Sequence, residues 1–258
     1  MLDIYRFKTF QKYPKLLHLV TQKSSSMPYS FSLALHTGED EKAILENRQS
    51  MAKQLQATKN LYFVVAKQTH SDNIHIVTQE ETKGWESQND AIENCDALIT
   101  KLPNVMLSVL TADCVPILLY DEKKGVIAAV HAGWKGTKAK IVYKTVTKMV
   151  QVFGSNPQDI VAGIAPSIGA CCYEVGEDVA RHFAHTPKCM TTKEDKSMLD
   201  LPYLNKMQLL KAGLTDANIT LSNICTSCEV EHYFSYRKEQ GCTGRFMSMI
   251  GLKDAYAS

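Results

Sequence analysis

Two apolar runs that flank a short charged loop constrain the fold of this chain more than any other feature. Residues 115–120 and 126–130 are rich in β-branched side chains, and residues 121–125 between them are charged and end in glycine. Strand-like runs joined by a short glycine-containing loop are typical of a β-hairpin. The sequence therefore predicts an antiparallel hairpin at the centre of the fold.

This hairpin would bring a thiol and an imidazole together. If Tyr120 faces Gly125, antiparallel pairing places Cys114 opposite His131 at the open end of the hairpin. Cross-strand Cβ atoms are about 5 Å apart, so the two side chains could hold one metal ion. The alternative is a buried strand cysteine beside a hydrogen-bonded histidine. Small residues and glycines around both positions favour a site, because they let the backbone approach a ligand closely.

Length and charge limit the classes of partner. A chain of 258 residues can bury a substantial core, and we predict one domain over residues 1–258. The formal charge of +2 gives no electrostatic attraction for nucleic acid or for an anionic membrane. We expect a small-molecule partner instead. The sequence leaves the oligomeric state open.

The N-terminal residues predict the compartment. They contain no apolar segment of signal-peptide type, and the chain has no apolar run long enough to span a membrane. We therefore expect a cytoplasmic protein with reduced thiols.

Helices and strands alternate at uneven spacing along the chain. Together with the central hairpin, this pattern predicts an α+β (mixed α/β) domain with mixed sheets and flanking helices. Apolar periodicity and glycine stops predict helices over 39–57, 138–153, 177–185 and 199–212, strands over 61–66 and 159–165, and a surface loop over 186–198.

Four cysteines carry a weak metal signal. Cys171 and Cys172 are adjacent, which disfavours joint binding of one ion, so structural packing is predicted for both. Cys225 and Cys228 form a lone C-x-x-C, whereas structural zinc normally takes a second such pair. We predict that Cys225 is buried and that Cys228 lies in a loop.

Several segments, in order along nearly the whole chain, carry a family resemblance. ADCVPILLYD (112–121) and VHAGWKGT (130–137) resemble the core signature of the YfiH-type family, also called the laccase-domain or multicopper polyphenol oxidase family. The other matching segments are LHTGEDEKAILENR (35–48), KQTHSDNIHIV (67–77), CDALIT (95–100), GIAPSIGACCYEVG (163–176) and FSYRKEQGCTGRFMSMIGL (234–252).

The resemblance implies a ligand set. His70 matches the family's Gln-x-His motif and would be the third metal ligand beside Cys114 and His131. Ser71 follows it where the family usually has glycine, which puts the local turn in question. Asp96 also fits the family pattern, although it could simply close a turn.

Three arginines are candidates for binding phosphate. Arg237 and Arg245 flank a glycine turn, and two guanidinium groups can hold phosphate bidentately. The resemblance adds Arg48 as a catalytic and phosphate-binding residue, together with Cys114 and His131 as catalytic residues. Exposed surface charge is the alternative interpretation for all three arginines.

The resemblance implies a zinc-dependent purine nucleoside phosphorylase that also deaminates adenosine. It would take phosphate and adenosine, inosine, guanosine or methylthioadenosine, and zinc with an open position would activate water. The family's older name implies a copper polyphenol oxidase, with copper as the alternative cofactor, yet the chain has only eight histidines and no H-x-H pair. A metal-free hydrolase with Cys114 as nucleophile and His131 as base remains open, as does the family's peptidoglycan-editing role.

Overall fold

The structure is a computed structural model that describes residues 2–55, 61–186, 188–193, 196–241 and 243–253. The described residues form strands β1 (Ile4–Tyr5), β2 (Leu16–Thr21), β3 (Tyr62–Val65), β4 (Ile74–Ile76), β5 (Ala97–Thr100), β6 (Val105–Thr111), β7 (Val115–Asp121), β8 (Val126–Ala132), β9 (Ile160–Ile164), β10 (Glu174–Val175), β11 (Met190–Lys193), β12 (Lys196–Leu199), β13 (Ile219–Leu221) and β14 (Phe246–Leu252). The α-helices are α1 (Glu41–Leu55), α2 (Trp134–Lys138), α3 (Ile141–Phe153), α4 (Glu177–Ala180) and α5 (Leu201–Lys211).

Two large mixed sheets lie face to face and position the rest of the molecule. One has the strand order β13-β9-β7-β8-β5-β4 and the other the order β1-β2-β14-β6-β3, while β10-β12-β11 form a small third sheet. The predicted mixed α/β class, with a central antiparallel hairpin and flanking helices, is confirmed.

The side chains of β7 alternate between two cores. Ile117 and Leu119 belong to the cluster that includes α3 and α5, whereas Leu118 and Tyr120 pack toward the five-stranded sheet. The far face of that second sheet is covered by α1, through Met51 among other residues. Period-two alternation in a strand buried on both faces produces this layering of helix, sheet, sheet and helix.

The predicted hairpin is present, but its predicted register was wrong. Tyr120 faces Ile127 and His131 faces Pro116, so the pairing is two residues away from the expected one. The reason lies in the turn, where the Asp121 carboxylate accepts a hydrogen bond from the backbone N–H of Lys124 at 3.1 Å and Asp121 itself pairs with Val126. A shift of two residues keeps every side chain on its predicted face.

Most of the predicted helices and strands are present, with shorter bounds. The first predicted helix corresponds to α1, and its expected end at 56–57 lies outside the described residues. The helix predicted over 177–185 is regular only over α4, and turns follow it. The described part of the predicted loop over 186–198 contains the strands β11 and β12, which pair antiparallel.

None of the described helices combines the length and apolar character needed to cross a membrane.

Candidate functional site

His70, Cys114 and His131 converge although they lie far apart in the sequence. His70 follows β3, Cys114 lies between β6 and β7, and His131 is the second-last residue of β8. One nitrogen of each imidazole and the Cys114 Sγ all lie within 4.8 Å of one another, and His70 Nε2 is 3.7 Å from Cys114 Sγ. The structure therefore brings together all three predicted metal ligands.

Asp96 connects two of these ligands. Its Oδ1 lies 2.7 Å from Nδ1 of His131, and it also accepts a hydrogen bond from the backbone N–H of His70 at 3.1 Å. Both Asp96 and His131 are buried. A carboxylate on Nδ1 fixes the imidazole ring and leaves Nε2 as the nitrogen for an ion or a proton. Asp96 thus does more than close a turn.

Ser71 fits this arrangement. Its backbone N–H and its hydroxyl each donate to Oδ2 of Asp96 at 2.7 Å, and the backbone N–H of Thr69 donates to the same oxygen at 3.2 Å. His70, between them, has a φ of +59°. The side chain of Gln68 anchors the start of this turn on β6, through hydrogen bonds of 2.8 Å with the backbone of Leu110. The serine that departs from the family pattern thus contributes a hydroxyl to the site.

Gly133 lies directly beside the ligands. A Cβ at this position would lie 2.9 Å from Cδ2 of His70 and 3.0 Å from Sγ of Cys114, although its backbone φ of −72° suits any residue. Glycine is therefore required for space and not for conformation. The absent side chain leaves room for the Cys114 sulfur and the His70 ring.

The charges of the three groups are coupled. Desolvation raises the pKa of the Cys114 thiol, but His131 and His70 outweigh it and lower the pKa to about 6. Desolvation opposes protonation of His131, yet the Cys114 and Asp96 charges raise its pKa to about 9. Despite its burial, Asp96 has a pKa of about 2, because His131 and Ser71 hydrogen-bond to it. The site favours a thiolate next to a positive charge.

The donor set fits a metal ion. Two imidazoles and a thiolate are borderline-soft ligands, which suit zinc and copper. Three protein ligands leave a fourth tetrahedral position open, as in catalytic zinc sites. The buried Asp96 supplies the carboxylate partner that metal-bound histidines usually have.

The residue before Cys114 is held in an unusual backbone conformation. Asp113 has a φ of +88°, and its carboxylate accepts hydrogen bonds of 2.7 Å from the Thr226 hydroxyl and from the backbone N–H of Arg237. Its carbonyl accepts a bond of 2.9 Å from the backbone N–H of Ile168. Three distant loops thus fix the segment that presents Cys114, a role that the sequence did not reveal.

Arg237 and Arg245 lie on the same side as Cys114. The Arg237 guanidinium is exposed and lies over the ring of Tyr173, 5.4 Å from its centroid. Desolvation raises the pKa of Tyr173 to about 12, and the Cys114 charge adds to this shift. Desolvation lowers the pKa of Arg245, whereas the Cys114 charge raises it. Arg245 therefore lies within electrostatic reach of Cys114, and Arg237 lies against Tyr173, which is also within reach of Cys114.

The structure buries Arg48, so the alternative of an exposed surface charge is wrong for this arginine. Its side chain is buried, and its guanidinium donates to the carbonyls of Leu33, Gly84 and Trp85 at 2.5 to 2.9 Å. Four of its five N–H groups point at backbone, since Leu33 accepts two of them. Arg48 therefore connects helix α1 to the backbone at Leu33 and at Gly84 and Trp85. Its predicted contact with phosphate stays a prediction.

Two recesses lie on the part of the surface formed by His36, and the smaller of them reaches Thr69, the residue before His70. A cavity of about 270 Å³ is lined by His36, Arg48, Gln68 and Thr69, and a wider recess of about 650 Å³ is lined by His36, Glu39 and Arg245. His36 is common to both, and desolvation and the charges of Arg245 and Arg48 lower its pKa. The smaller recess offers space for a small molecule next to the turn that carries His70.

A second cluster of possible ligands corrects the interpretation of the remaining cysteines. Cys171, Cys172, Cys225 and Cys228 approach one another, with their Sγ atoms all within 4.8 Å. Cys225 is half-buried and not fully buried, while Cys228 lies in a turn as predicted. The expected second pair of cysteines was present in the sequence as adjacent residues, and only the folded chain shows it.

Comparisons with known proteins place the chain in a family. Residues 18–253 match the family model described as multi-copper polyphenol oxidoreductase laccase. Purine nucleoside phosphorylase YlmD of Bacillus subtilis (strain 168) is 36% identical over 238 residues, which cover 90% of this chain and 85% of that protein. Adenosine deaminase RL5, from an unknown prokaryotic organism, is 34% identical over 229 residues, with coverages of 86% and 87%.

A solved structure agrees with this placement. The Bacillus licheniformis hypothetical protein YfiH superposes with a TM-score of 0.90 at 35% identity, covering 98% of this chain and 97% of that one. The sequence match and the fold extend over the same residues that carry the ligand cluster, and the resemblance noted in the sequence is confirmed. The chain belongs to the multi-copper polyphenol oxidoreductase laccase family, the family of YfiH and YlmD.

Proposed function

We propose that this protein is a zinc-dependent purine nucleoside phosphorylase that also deaminates adenosine. The observation that carries the proposal is the convergence of His70, Cys114 and His131, whose ligand atoms all lie within 4.8 Å of one another. The name of the relative YlmD supports the phosphorylase activity, and the name of the relative RL5 supports the deaminase activity. The protein is thus an enzyme acting on purine nucleosides.

His70, Cys114 and His131 would hold the zinc ion. When bound, zinc supplies a Lewis acid that polarises a substrate atom and activates water at neutral pH. His131 is kept in place by Asp96 through Nδ1, so that Nε2 is directed at the shared centre. The turn over residues 69–71, fixed on the Asp96 carboxylate, holds His70 in the same way.

Zinc suits this chain better than a set of copper ions. A multicopper oxidase requires many histidines, whereas among the described residues the ligand clusters contain only His70 and His131. Of the other histidines, His18 is buried in the core and His75 is exposed on β4. We therefore take the family's laccase name to show a common ancestry and not a copper oxidase activity of this protein.

In phosphorolysis, a phosphate oxygen forms a bond to C1′ of the ribose while the C1′–N9 bond breaks, giving ribose 1-phosphate and the free base. The transition state carries positive charge on the ribose, and the phosphate has to be held beside it. Arg237 and Arg245 would hold the phosphate: Arg237 is exposed beside Tyr173, and Arg245 lies within electrostatic reach of Cys114 and has N–H groups besides those of Nη1, which donates to the carbonyls of Thr243 and Gly244. Arg48 would support the wall of the smaller cavity.

In deamination, water adds to C6 of adenine and the C6–amino bond breaks, so that adenosine and water give inosine and ammonia. A proton must move from the attacking water to the leaving nitrogen. Because Cys114 and His131 would be occupied as zinc ligands, this proton would be carried by another group or by water beside the ion.

A metal-free hydrolase is the second candidate. The specific observation in its favour is the geometry Asp96–His131–Cys114, in which a buried carboxylate orients a histidine next to a thiol whose pKa is lowered to about 6. Such an arrangement resembles an activated cysteine nucleophile. His70 is far less important in that mechanism than as a zinc ligand, and this distinguishes the two candidates.

The first experiment is a product assay with and without phosphate. We expect adenosine and inosine to yield free base only when phosphate is present, and adenosine to yield inosine in either buffer. Chromatography of the products measures both reactions. Equal release of base without phosphate would identify a hydrolase and refute the phosphate site. Copper at stoichiometric level, with an intense thiolate-to-copper absorption, would instead support the oxidase.

The second experiment distinguishes a ligand from a nucleophile at Cys114. A zinc-bound thiolate reacts slowly with iodoacetamide and rapidly after chelation. We expect peptide-resolved mass spectrometry to show this acceleration at Cys114, and the His70→Ala variant to lose both turnover and the zinc ion held by Cys114 and His131. Fast labelling of the zinc-loaded protein, with near-normal activity of His70→Ala, would favour the hydrolase.

A further inference from the structure

Four cysteines that the proposed function does not use meet near the surface. Cys171 and Cys172 lie in the turn after β9, and Cys225 and Cys228 lie in the turn after β13. The Sγ atom of Cys228 is 3.6 Å from that of Cys171 and 3.5 Å from that of Cys172. All four sulfurs lie within 4.8 Å of one another, although the two pairs are more than fifty residues apart.

Backbone hydrogen bonds hold the two turns against each other. Ser167 and Cys225 form a parallel β-bridge, and the backbone N–H of Thr226 donates to the carbonyl of Ser167 at 3.1 Å. Gly169 accepts hydrogen bonds of 3.0 Å from the N–H groups of Cys172 and Tyr173, which curls the chain so that adjacent cysteines reach one centre. The cysteine positions are therefore set by the backbone and not by side-chain packing alone.

The spacing of the sulfurs suits a single ion. Four thiolates around tetrahedral zinc, with Zn–S bonds of about 2.3 Å, lie about 3.8 Å apart. A disulfide requires about 2.05 Å between sulfurs, and the two closest contacts here are far longer. An iron–sulfur cluster places several iron atoms between its cysteines and needs a wider cage.

The surroundings provide the features of a structural site. The backbone N–H of Gly169 points at Sγ of Cys225 at 3.3 Å, and such a donor stabilises a thiolate ligand. Cys171 and Cys228 are exposed, so an ion can enter from solvent. Four cysteine ligands close the coordination sphere, which is typical of structural and not of catalytic zinc.

From this geometry we infer that Cys171, Cys172, Cys225 and Cys228 bind one structural zinc ion, separate from the ion at His70, Cys114 and His131. Binding replaces the four thiol protons by Zn²⁺ and changes no oxidation state.

The inferred ion would stabilise the segment that presents Cys114. Thr226 lies within the C-x-x-C turn and donates to the Asp113 carboxylate, while Ile168 lies three residues before Cys171 and donates to the Asp113 carbonyl. Both turns cross-linked by the ion therefore contact the residue next to Cys114. Loss of the ion should loosen this loop and lower stability, with activity falling as a secondary effect.

Metal analysis of variants tests the inference. We expect the protein, purified under reducing conditions without added metal, to carry two zinc ions per chain. Cys228→Ser should carry one and show a lower Tm, and His70→Ala should also carry one, because it loses the other ion. The matched control is Cys189→Ser, which changes a buried thiol that hydrogen-bonds the carbonyls of Phe183 and Thr186. It should keep two.

If Cys228→Ser does not fold, two other measurements test the inference: cobalt spectroscopy and the reaction of the cysteines with a mercurial reagent. Cobalt(II) bound to His70→Ala should give the intense visible bands of a four-thiolate site. A mercurial reagent added to wild-type protein should release zinc as Cys171 and Cys228 are modified. An unchanged zinc content in Cys228→Ser and Cys171→Ser, iron in place of zinc, or a disulfide among these cysteines in the isolated protein would overturn the inference.

Discussion

Asp96 and His131 are joined by a hydrogen bond of 2.7 Å between Oδ1 and Nδ1, in a position where neither side chain reaches solvent. The same carboxylate accepts hydrogen bonds from the backbone of the turn that carries His70. One buried carboxylate therefore orients two ligands that come from different parts of the chain. A change at Asp96 should therefore disturb the positions of both His70 and His131.

We predict that Asp96→Asn weakens zinc binding at the His70, Cys114 and His131 site by about 10- to 100-fold. The amide cannot accept the hydrogen bonds of the 69–71 turn as the carboxylate does, and it removes the charge that supports His131. Competition with a chromogenic chelator measures the affinity. Asp72→Asn, which changes a partly exposed carboxylate paired with Lys144, serves as the control and should bind zinc like wild type. Equal affinity in the two variants would show that Asp96 does not support the ligands.

Gly133→Ala should empty the same site without unfolding the protein. The new Cβ would lie 2.9 Å from the His70 ring and 3.0 Å from the Cys114 sulfur, so these ligands must move apart. Gly176→Ala is a matched control, because Gly176 also precedes a short helix with a φ of −74°, and its Cβ would meet only the end of the flexible Asp178 side chain. We expect the first variant to lose both activities and the zinc ion at this site, with one zinc ion per chain remaining, and the second variant to behave like wild type. Full zinc occupancy in Gly133→Ala would contradict the spatial role of this glycine.

Arg237→Ala and Arg245→Ala should impair phosphorolysis and spare deamination. Each removes a charge-assisted donor to phosphate, a loss of about 1.5 to 3 kcal/mol, or roughly 10- to 100-fold in kcat/KM for phosphate. Adenosine deamination in phosphate-free buffer should change little, because it needs no anion. Arg181→Ala removes an exposed arginine after α4 and should leave both reactions unchanged. Equal losses in the two reactions would assign these arginines to the nucleoside or to the fold instead.

The sequence predicted what local patterns determine. Apolar periodicity identified α1, α3 and α5, and the hairpin followed from β-branched runs and the glycine after Lys124. The hairpin register was off by two residues, since an Asp121 side chain that closes the turn is not visible in an apolar pattern. The described part of the 186–198 region is strongly polar, and this concealed the strands β11 and β12.

Long-range convergence could not be predicted from spacing. The family resemblance supplied His70, whereas nothing local connects Cys172 to Cys228 or Asp113 to Thr226. Arg48 shows the limit of the surface-charge alternative, because a charged residue on a helix is usually exposed, yet here three backbone carbonyls compensate for its burial. The contacts between these cysteines and around Asp113 are made by loops that are distant in the sequence and meet only in the folded state.

The last prediction concerns acid stability and depends on His18. This side chain is buried beside the rings of Phe7 and Phe10, and its Nε2 has no hydrogen-bond partner among the described residues. Desolvation, aided by the charge of Arg6, lowers the pKa of His18 from 6.5 to about 4. The folded state therefore resists protonation, whereas the unfolded chain takes up a proton near its ordinary pKa.

The sign of the effect follows from proton uptake. The stabilising contribution of neutral His18 is fully present above pH 6.5 and is lost as the pH falls toward 4. At about pH 5 the wild type should have lost about 2 kcal/mol of its free energy of unfolding through this residue. We expect His18→Gln, which does not titrate, to be less stable than wild type at about pH 7.5 because of its altered packing, but to lose correspondingly less on acidification. Urea unfolding at both pH values with zinc held constant measures the difference, and His75→Gln, which changes an exposed residue of β4, should keep the wild-type pH dependence. If His18→Gln and His75→Gln lose the same stability between the two pH values, the acid sensitivity of this protein lies elsewhere, and the buried ring of His18 does not contribute to it.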